Sequence, residues 1–206
     1  MTCQTHAYLA TVLVQAIQSV WGVRLSRKRL VYGSIKPDVT SLFLRHPHFW
    51  RYSRDFLFRK VARLARMRFD RYEKNKKFSE ALGVVLHYVA DFFTAAHNVK
   101  PNRLREHLAY EERLHAAFAR MADVATVRDA IRFVREGRPR VGTANPSLSV
   151  AETLISLHSS YSPSLEDVER DVREILIACL TVTAVVMDSV AGIKEFAFTA
   201  AIEYTC

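Results

Sequence analysis

The sequence predicts an all-α fold, a single compact multi-helix domain that spans residues 1–206. Half of the residues are apolar, which is enough for a sizeable core in a chain of this length. Glycine and proline contribute only six residues each, and apolar residues recur at helical spacing in several stretches. Few helix breakers and a helical apolar period together favour helices throughout.

The N-terminal third begins with a predicted helix from about Tyr8 to Val20. A basic connector, RLSRKRL, then leads to YGSIKPD, which is typical of a turn and ends at Asp38. The segment RHPHFW follows, and after it residues 51–69 predict a basic amphipathic helix. The loop YEKNKK ends this part of the chain.

The next helix is predicted to start near Ser79, a candidate N-cap, and to end near His97. Pro101 suits the first turn of the helix after it, and EGRPRVGTANPS is the most loop-like stretch of the chain. A capping pair, Ser164 and Asp167, opens the last helix. The helices predicted after His97 lie near 101–121, 126–136, 148–159 and 164–190.

Charge and cysteine content limit the classes of function. The formal charge is +9, from 30 Lys and Arg against 21 Asp and Glu, which suits a nucleic acid, an anionic membrane or simply a solvated basic surface. The three cysteines are widely spaced and form no CxxC pair, which argues against a disulfide framework. The N-terminus lacks the basic start of a signal peptide, and the apolar run at 175–187 is too short to span a bilayer. We therefore expect a cytoplasmic protein, peripheral to a membrane if it contacts one, with 175–187 in a buried core helix.

Metal-binding side chains occur at helical spacing in HYVADFFTAAHN. His87 and Asp91 are four residues apart, so they share one helical face, and His107 and Glu111 repeat that spacing. His97 lies six residues past Asp91, and we expect the helix to end before it and let it turn inward. Imidazole and carboxylate ligands without thiolate are typical of a catalytic zinc site.

A pair at this spacing is by itself often an exposed polar pair. Apolar residues crowd around His87, however, and an unpartnered buried polar group costs about 1–3 kcal/mol. One metal ion would satisfy both His87 and Asp91.

The motifs GSIKPD, PHF, LGVVLHYVADFFTAAHN and HLAYE, in this order, resemble the zinc-dependent phospholipase C family, whose superfamily includes zinc single-strand nucleases. The resemblance covers roughly residues 6–115, and its specific part is 83–111. It implies a cluster of two or three zinc ions with the ligands His6, His48, His87, Asp91, His97, His107 and Glu111.

The resemblance implies that His48, His87 and Asp91 would hold the first zinc ion. Asp38 matches the family's non-bridging aspartate, the proposed general base. His46 competes with His48, but only His48 lies in the PHF motif that the family prefers.

The second ion would be held by His97, His107 and Glu111. A third would use His6, with Asp91 bridging, and the chain's own terminal amine and carbonyl. The secreted members begin with a tryptophan exposed by processing, whereas this chain offers a methionine or a threonine, so the number of ions stays open.

The function implied is hydrolysis of a phospholipid or a small phosphodiester. HLAYE has the HxxxE spacing of the phospholipases, whereas the related nucleases tend to HxxxD. A zinc-dependent nuclease is the alternative that suits the positive charge, and a non-catalytic zinc-binding helical protein is the third. The basic helix at 51–69 is a candidate for contact with an anionic membrane.

Overall fold

A computed structural model of the chain describes the backbone of residues 1–70, 75–99, 104–136 and 146–203 and the side chains of 1–70, 75–99, 105–132 and 150–190. All regular secondary structure in these ranges is helical, which confirms the predicted fold class. The helices are α1 (Cys3–Trp21), α2 (Arg27–Val39), α3 (Leu42–Arg45), α4 (Trp50–Ala65), α5 (Lys76–Phe92), α6 (Ala95–Asn98), α7 (Leu104–Met121), α8 (Val124–Glu136), α9 (Pro146–Ser160) and α10 (Val168–Glu203).

Helix α2 occupies the segment that the sequence predicts as a connector and a turn, so that prediction is wrong. Pro37 lies inside α2 but only two residues before its end, where the loss of one backbone hydrogen bond interrupts little of the helix. Gly33 is present for packing, since a Cβ on it would stand 2.2 Å from the carbonyl oxygen of Glu80 in α5. Gly33 and Pro37, which suggested a turn, are therefore both accommodated in a helix, and Gly33 lets that helix lie very close to α5.

The predicted break before His97 is present. Helix α5 begins after Asn75 rather than at Ser79, ends at Phe92, and is followed by the four-residue α6 that carries His97. Asn98 stabilises the break between α5 and α6, because its Nδ2 donates to the carbonyl oxygen of Phe92 at 3.0 Å and to that of Thr94 at 2.8 Å. His97 is thereby held on a separate short helix.

The C-terminal helices follow the predicted order. Helix α10 starts at Val168, later than predicted, because Asp167 caps it by accepting from the backbone N–H of Arg170 at 3.0 Å. The apolar run at 175–187 is mainly buried, as expected of a core helix. Most of the loop predicted in EGRPRVGTANPS lies outside the described residues. Among the described residues, none of the helices combines the length and the apolar character needed to cross a bilayer.

Helix α5 is central to the packing. It contacts α2, α4 and α10, while α1 packs on α2 and α8. Residues 82–92, the C-terminal part of α5, are all buried, so His87 and Asp91 lie inside the core. These two side chains define where the site is found.

Candidate metal centre

Asp91 is fully buried, and its Oδ2 faces two imidazoles. Oδ2 lies 3.1 Å from His48 Nδ1 and 3.3 Å from His87 Nε2. Asp38 faces the same two rings, with its Oδ1 3.5 Å from His48 Nδ1 and 3.6 Å from His87 Nε2. One ligand atom from each of these four residues lies within 4.8 Å of the others, which is a spacing suited to one metal ion.

The α2–α5 contact orients His87. Its Nδ1 lies 2.7 Å from the carbonyl oxygen of Ser34 in α2, so this nitrogen carries the proton and donates. Nε2 is then left with its lone pair toward Asp38 and Asp91, which is the arrangement that metal-binding histidines commonly show. Ser34 itself is held by its hydroxyl, which donates to the carbonyl oxygen of Val31 at 2.8 Å.

His48 lies in the short loop between α3 and α4. Two hydrogen bonds fix this loop: the hydroxyl of Ser53 donates to the carbonyl oxygen of Pro47 at 2.5 Å, and the hydroxyl of Tyr88 donates to that of His46 at 2.7 Å. Tyr88 also places its ring edge against the His48 ring, with centroids 5.4 Å apart. The structure thus places His48, and not His46, against the two aspartates.

The other oxygen of Asp91, Oδ1, faces a second group of nitrogens. It accepts from the amine of Met1 at 2.8 Å and lies 3.2 Å from His6 Nε2 and 3.4 Å from His97 Nε2. The same amine is 3.2 Å from His97 Nε2 and 3.6 Å from Glu111 Oε1. The terminal amine therefore lies between α5, α6 and α7.

The pair on α7 completes the cluster at its outer edge. His107 Nε2 lies 3.5 Å from Glu111 Oε1, and both side chains are partly exposed. The structure thus gathers in one region all the side chains that the sequence selected: His6, Asp38, His48, His87, Asp91, His97, His107 and Glu111.

Four buried polar atoms of the cluster make no hydrogen bond to any described residue: Nε2 of His6, Nε2 of His48, Nε2 of His87 and Oδ2 of Asp91. The contacts between Asp91 Oδ2 and the imidazoles are short but lack hydrogen-bond geometry. Each unsatisfied group of this kind costs about 1–3 kcal/mol, so several at one place indicate a missing partner. Imidazole nitrogen and carboxylate oxygen are zinc ligands, and this donor set fits zinc.

Burial and charge set the protonation of the cluster. Burial lowers the pKa of His87 well below its ordinary value and also lowers that of His97, so both imidazoles are neutral, the form that binds a metal. Burial alone would raise the pKa of Asp91, but the charge of the Met1 amine holds it well below its usual range. Asp91 is therefore an ionised carboxylate inside the core.

A second buried polar network supports the α6 and α7 side of the cluster. Asp171, in the first turn of α10, accepts from the hydroxyl of Tyr110, from that of Tyr161 at 2.7 Å and from the backbone N–H of Ala95 at 2.8 Å. Burial raises the pKa values of both tyrosines, which keeps their hydroxyls protonated as donors.

This network fixes two elements that carry candidate ligands. Ala95 begins α6, which carries His97, and Tyr110 directly precedes Glu111. The motifs of the sequence do not include Asp171, although a signal exists: it is an acid on an apolar helical stripe with Val172 and Ile175.

Cys3 is a further contact that the sequence did not reveal. Its Sγ donates to Asp38 Oδ2 at 3.4 Å, on the side away from the imidazoles. Partial desolvation and the Asp38 charge raise the pKa of the Cys3 thiol to about 11, so it stays a protonated donor. The thiol thereby turns Oδ1 of Asp38 toward the cluster.

The remaining histidines have other surroundings. The His46 ring stacks on an aromatic ring of α4, and His115 Nδ1 lies 3.2 Å from the hydroxyl of Thr5. The His158 ring stacks on Trp50 with centroids 4.2 Å apart.

The cluster opens to solvent through a cavity of about 330 Å³. Its lining combines ligand-type side chains with apolar ones: Asp38, Phe43, Pro47, His48, Phe49 and His97. A volume of this size admits a small molecule or one end of a larger one.

The helical fold and the buried Asp and His cluster define a helical protein with a candidate metal centre. The family model described as zinc-dependent phospholipase C matches residues 5–178, so the chain belongs to the zinc-dependent phospholipase C family. This confirms the resemblance seen in the sequence motifs. No curated protein and no solved structure matches the chain.

Proposed function

We propose that the protein is a zinc-dependent phosphodiester hydrolase that acts on a phospholipid or a related small phosphodiester. The observation that carries the proposal is the set of buried, unsatisfied imidazole and carboxylate atoms around Asp91, beside a cavity that opens to solvent. Membership of a zinc-dependent phospholipase C family supports the same chemistry.

The two oxygens of Asp91 support a bridging role for this carboxylate. Oδ2 faces His48 and His87, the proposed ligands of the first ion. Oδ1 faces His6 and the Met1 amine, the proposed ligands of a third ion. With this arrangement, Asp91 could contribute one oxygen to each of two ions.

The second ion is proposed to bind His97, His107 and Glu111. The distance of 3.5 Å between His107 Nε2 and Glu111 Oε1 would allow both side chains to bind the same ion. The Met1 amine lies between Glu111 and His97 and contacts both. The total is two or three ions, depending on whether His6 and the amine bind one.

Zinc supplies two things when bound: it lowers the pKa of water to about 7, and it neutralises the charge of the phosphodiester. Asp38 Oδ1, which lies beside His48 and His87 and lines the cavity, is placed to accept the proton of the attacking water. The water oxygen then bonds to phosphorus as the P–O bond to the leaving group breaks, and the leaving oxygen takes the electrons of that bond and the proton from Asp38 to depart as an alcohol. Cys3 keeps Asp38 oriented for this transfer.

Elemental analysis of the purified chain and hydrolysis of a chromogenic phosphodiester test the proposal. We expect bound zinc, loss of activity after treatment with a chelator, and recovery when zinc is added back. Asp38→Asn should keep most of the zinc and lose at least about 100-fold in kcat, the range of general base catalysis. Asp55→Asn, a change of the same type at an exposed aspartate of α4, is the matched control.

Two results would count against parts of this proposal. A chain without stoichiometric zinc would rule out the metal centre, whereas full turnover in Asp38→Asn would remove only the assignment of the base. Cleavage of single-stranded DNA that weakens steeply with salt, without phosphodiesterase activity on lipid headgroups, would favour the nuclease alternative.

A further inference from the structure

Large apolar side chains are exposed around the opening of the cavity. Phe43 and Phe49 line the cavity and are also exposed, while Leu44 is 71% exposed and Tyr52 is 58% exposed. Single exposed apolar residues are ordinary on a protein surface, but several in one short segment around a site indicate an interaction surface. We call the exposed side chains of this segment the rim: Phe43, Leu44, Arg45, Phe49, Arg51 and Tyr52.

Ring contacts join the rim to the metal centre. The Phe49 ring lies 5.8 Å from the His97 ring and 6.3 Å from the Tyr52 ring, measured between centroids. The Arg51 guanidinium covers the Tyr52 ring at 4.4 Å from its centroid. Apolar, aromatic and cationic groups therefore adjoin one another at the cavity opening.

We propose that the rim docks the protein on an anionic lipid bilayer, with the cavity opening facing the membrane. The inference rests on the proposed function, because it explains how a phosphodiester in a bilayer would reach Asp38 and His48. Leu44 and Phe43 would enter the acyl boundary, and Tyr52 would lie at the headgroup level, where amphipathic rings are favoured. Arg45 and Arg51 are exposed and would meet anionic headgroups.

The charge pattern selects a bilayer as the partner. Arginines beside exposed leucine and aromatic side chains match the charged headgroups and apolar interior of an anionic membrane. The surface overlaps only in part with the one that the sequence suggested: Phe43 and Leu44 lie in α3 and Phe49 directly precedes α4, whereas Tyr52 belongs to the basic helix at 51–69.

Sedimentation with sucrose-loaded vesicles tests the inference on the full chain. We expect binding to vesicles of phosphatidylcholine with phosphatidylserine, and weaker binding to phosphatidylcholine alone. The double variant Leu44→Gln with Tyr52→Gln should bind at least about 10-fold more weakly, since two apolar groups no longer leave water. Arg45→Gln with Arg51→Gln should lose roughly 30-fold, and only on the anionic vesicles.

Matched controls change the same chemistry elsewhere. Ile177→Gln alters an exposed aliphatic side chain of α10, and Lys76→Gln with Lys77→Gln removes two exposed charges at the start of α5, about 22 Å along the helix from Asp91. All variants should keep the helical circular dichroism and the zinc content of the unmodified chain.

The outcomes separate this inference from the proposed function. If the chain hydrolyses a water-soluble phosphodiester but sediments with neither vesicle, the docking surface is wrong and the proposed function stands. If it binds vesicles through the rim without hydrolysing any phosphodiester, docking is supported and the function is wrong. Two further results would overturn docking on a bilayer. The first is that the control variants lose as much binding as the rim variants. The second is binding that depends on salt but not on Leu44 and Tyr52, and that single-stranded DNA competes away.

Discussion

Gly33 and Gly83 lie at the contact between α2 and α5, where a Cβ on either would stand 2.2 Å from a backbone carbonyl oxygen of the other helix. Because neither residue has a side chain, the two backbones approach closely. This brings the Ser34 carbonyl within 2.7 Å of His87 Nδ1 and Asp38 Oδ1 within 3.6 Å of His87 Nε2. The pair of glycines therefore determines how near Asp38 lies to the candidate metal centre.

Gly83→Ala should destabilise the protein by about 1–3 kcal/mol or more, because the new methyl group would overlap the carbonyl oxygen of Leu30 and force the helices apart. Urea unfolding measures this change, and zinc content should fall with it. Gly22→Ala is the control: Gly22 ends α1 at φ 58°, so its alanine variant should lose only about 1–2 kcal/mol and keep its zinc. Equal losses of zinc in the two variants would show that the α2–α5 distance does not govern the site.

His6→Ala is expected to lower the zinc content by one ion per chain while the other ions stay bound. The reason is that His6 Nε2 faces Asp91 Oδ1, whereas His48 and His87 face Oδ2. Elemental analysis after dialysis against a weak chelator gives the number. The control is His115→Ala, whose ring nitrogen contacts the Thr5 hydroxyl instead. An unchanged zinc content in His6→Ala would argue for two ions and leave His6 as a packing residue.

Short-range spacing predicted much of the site. The four-residue spacing of His87 and Asp91 placed both on one face of a buried helix, and the break before His97 is present as α6. These features could be predicted from the sequence because helical geometry fixes which residues share a face over one or two turns.

Long-range contacts could not be predicted from the sequence in this way. The segment with Gly33 and Pro37 has the local preferences of a turn, and only its contact with α5 shows why it is helical. Nothing in the order of the residues joins Cys3 to Asp38 or Tyr110 to Asp171, since these pairs meet only after the helices pack. The sequence suggested candidate ligands, and packing showed which groups orient them.

The stability of the zinc-free protein should fall as the pH drops from 7 to 5. Burial lowers the folded-state pKa of His87 and that of His97, so in this window the unfolded chain takes up protons that the folded chain does not. The contribution is present above about 6.5, the ordinary pKa of histidine, and declines below it by up to about 1.4 kcal/mol per pH unit for each histidine.

Urea unfolding in the presence of a chelator at several pH values measures this slope. His87→Gln should reduce the slope, because it removes one of the two groups, and His115→Gln is the matched change outside the cluster. A slope that is the same in His87→Gln as in the unmodified chain would contradict the neutral, buried state of His87.

Asp171→Asn should weaken both the fold and the α6 side of the centre. The aspartate accepts from two tyrosine hydroxyls and one backbone N–H, and an asparagine offers a single acceptor oxygen with an amide group that cannot accept. We expect a loss of about 1–3 kcal/mol in the free energy of unfolding, together with faster hydrogen exchange at the Ala95 amide.

Tyr161→Phe removes one donor and should cost about 1 kcal/mol. Tyr8→Phe, which removes a hydroxyl that donates to the Ala122 carbonyl at 3.2 Å, is the matched control and should leave exchange at Ala95 unchanged. If the Ala95 amide exchanges equally slowly in Asp171→Asn and in the unmodified chain, Asp171 does not hold α6, and the position of His97 must depend on Asn98 and the packing of α5 instead.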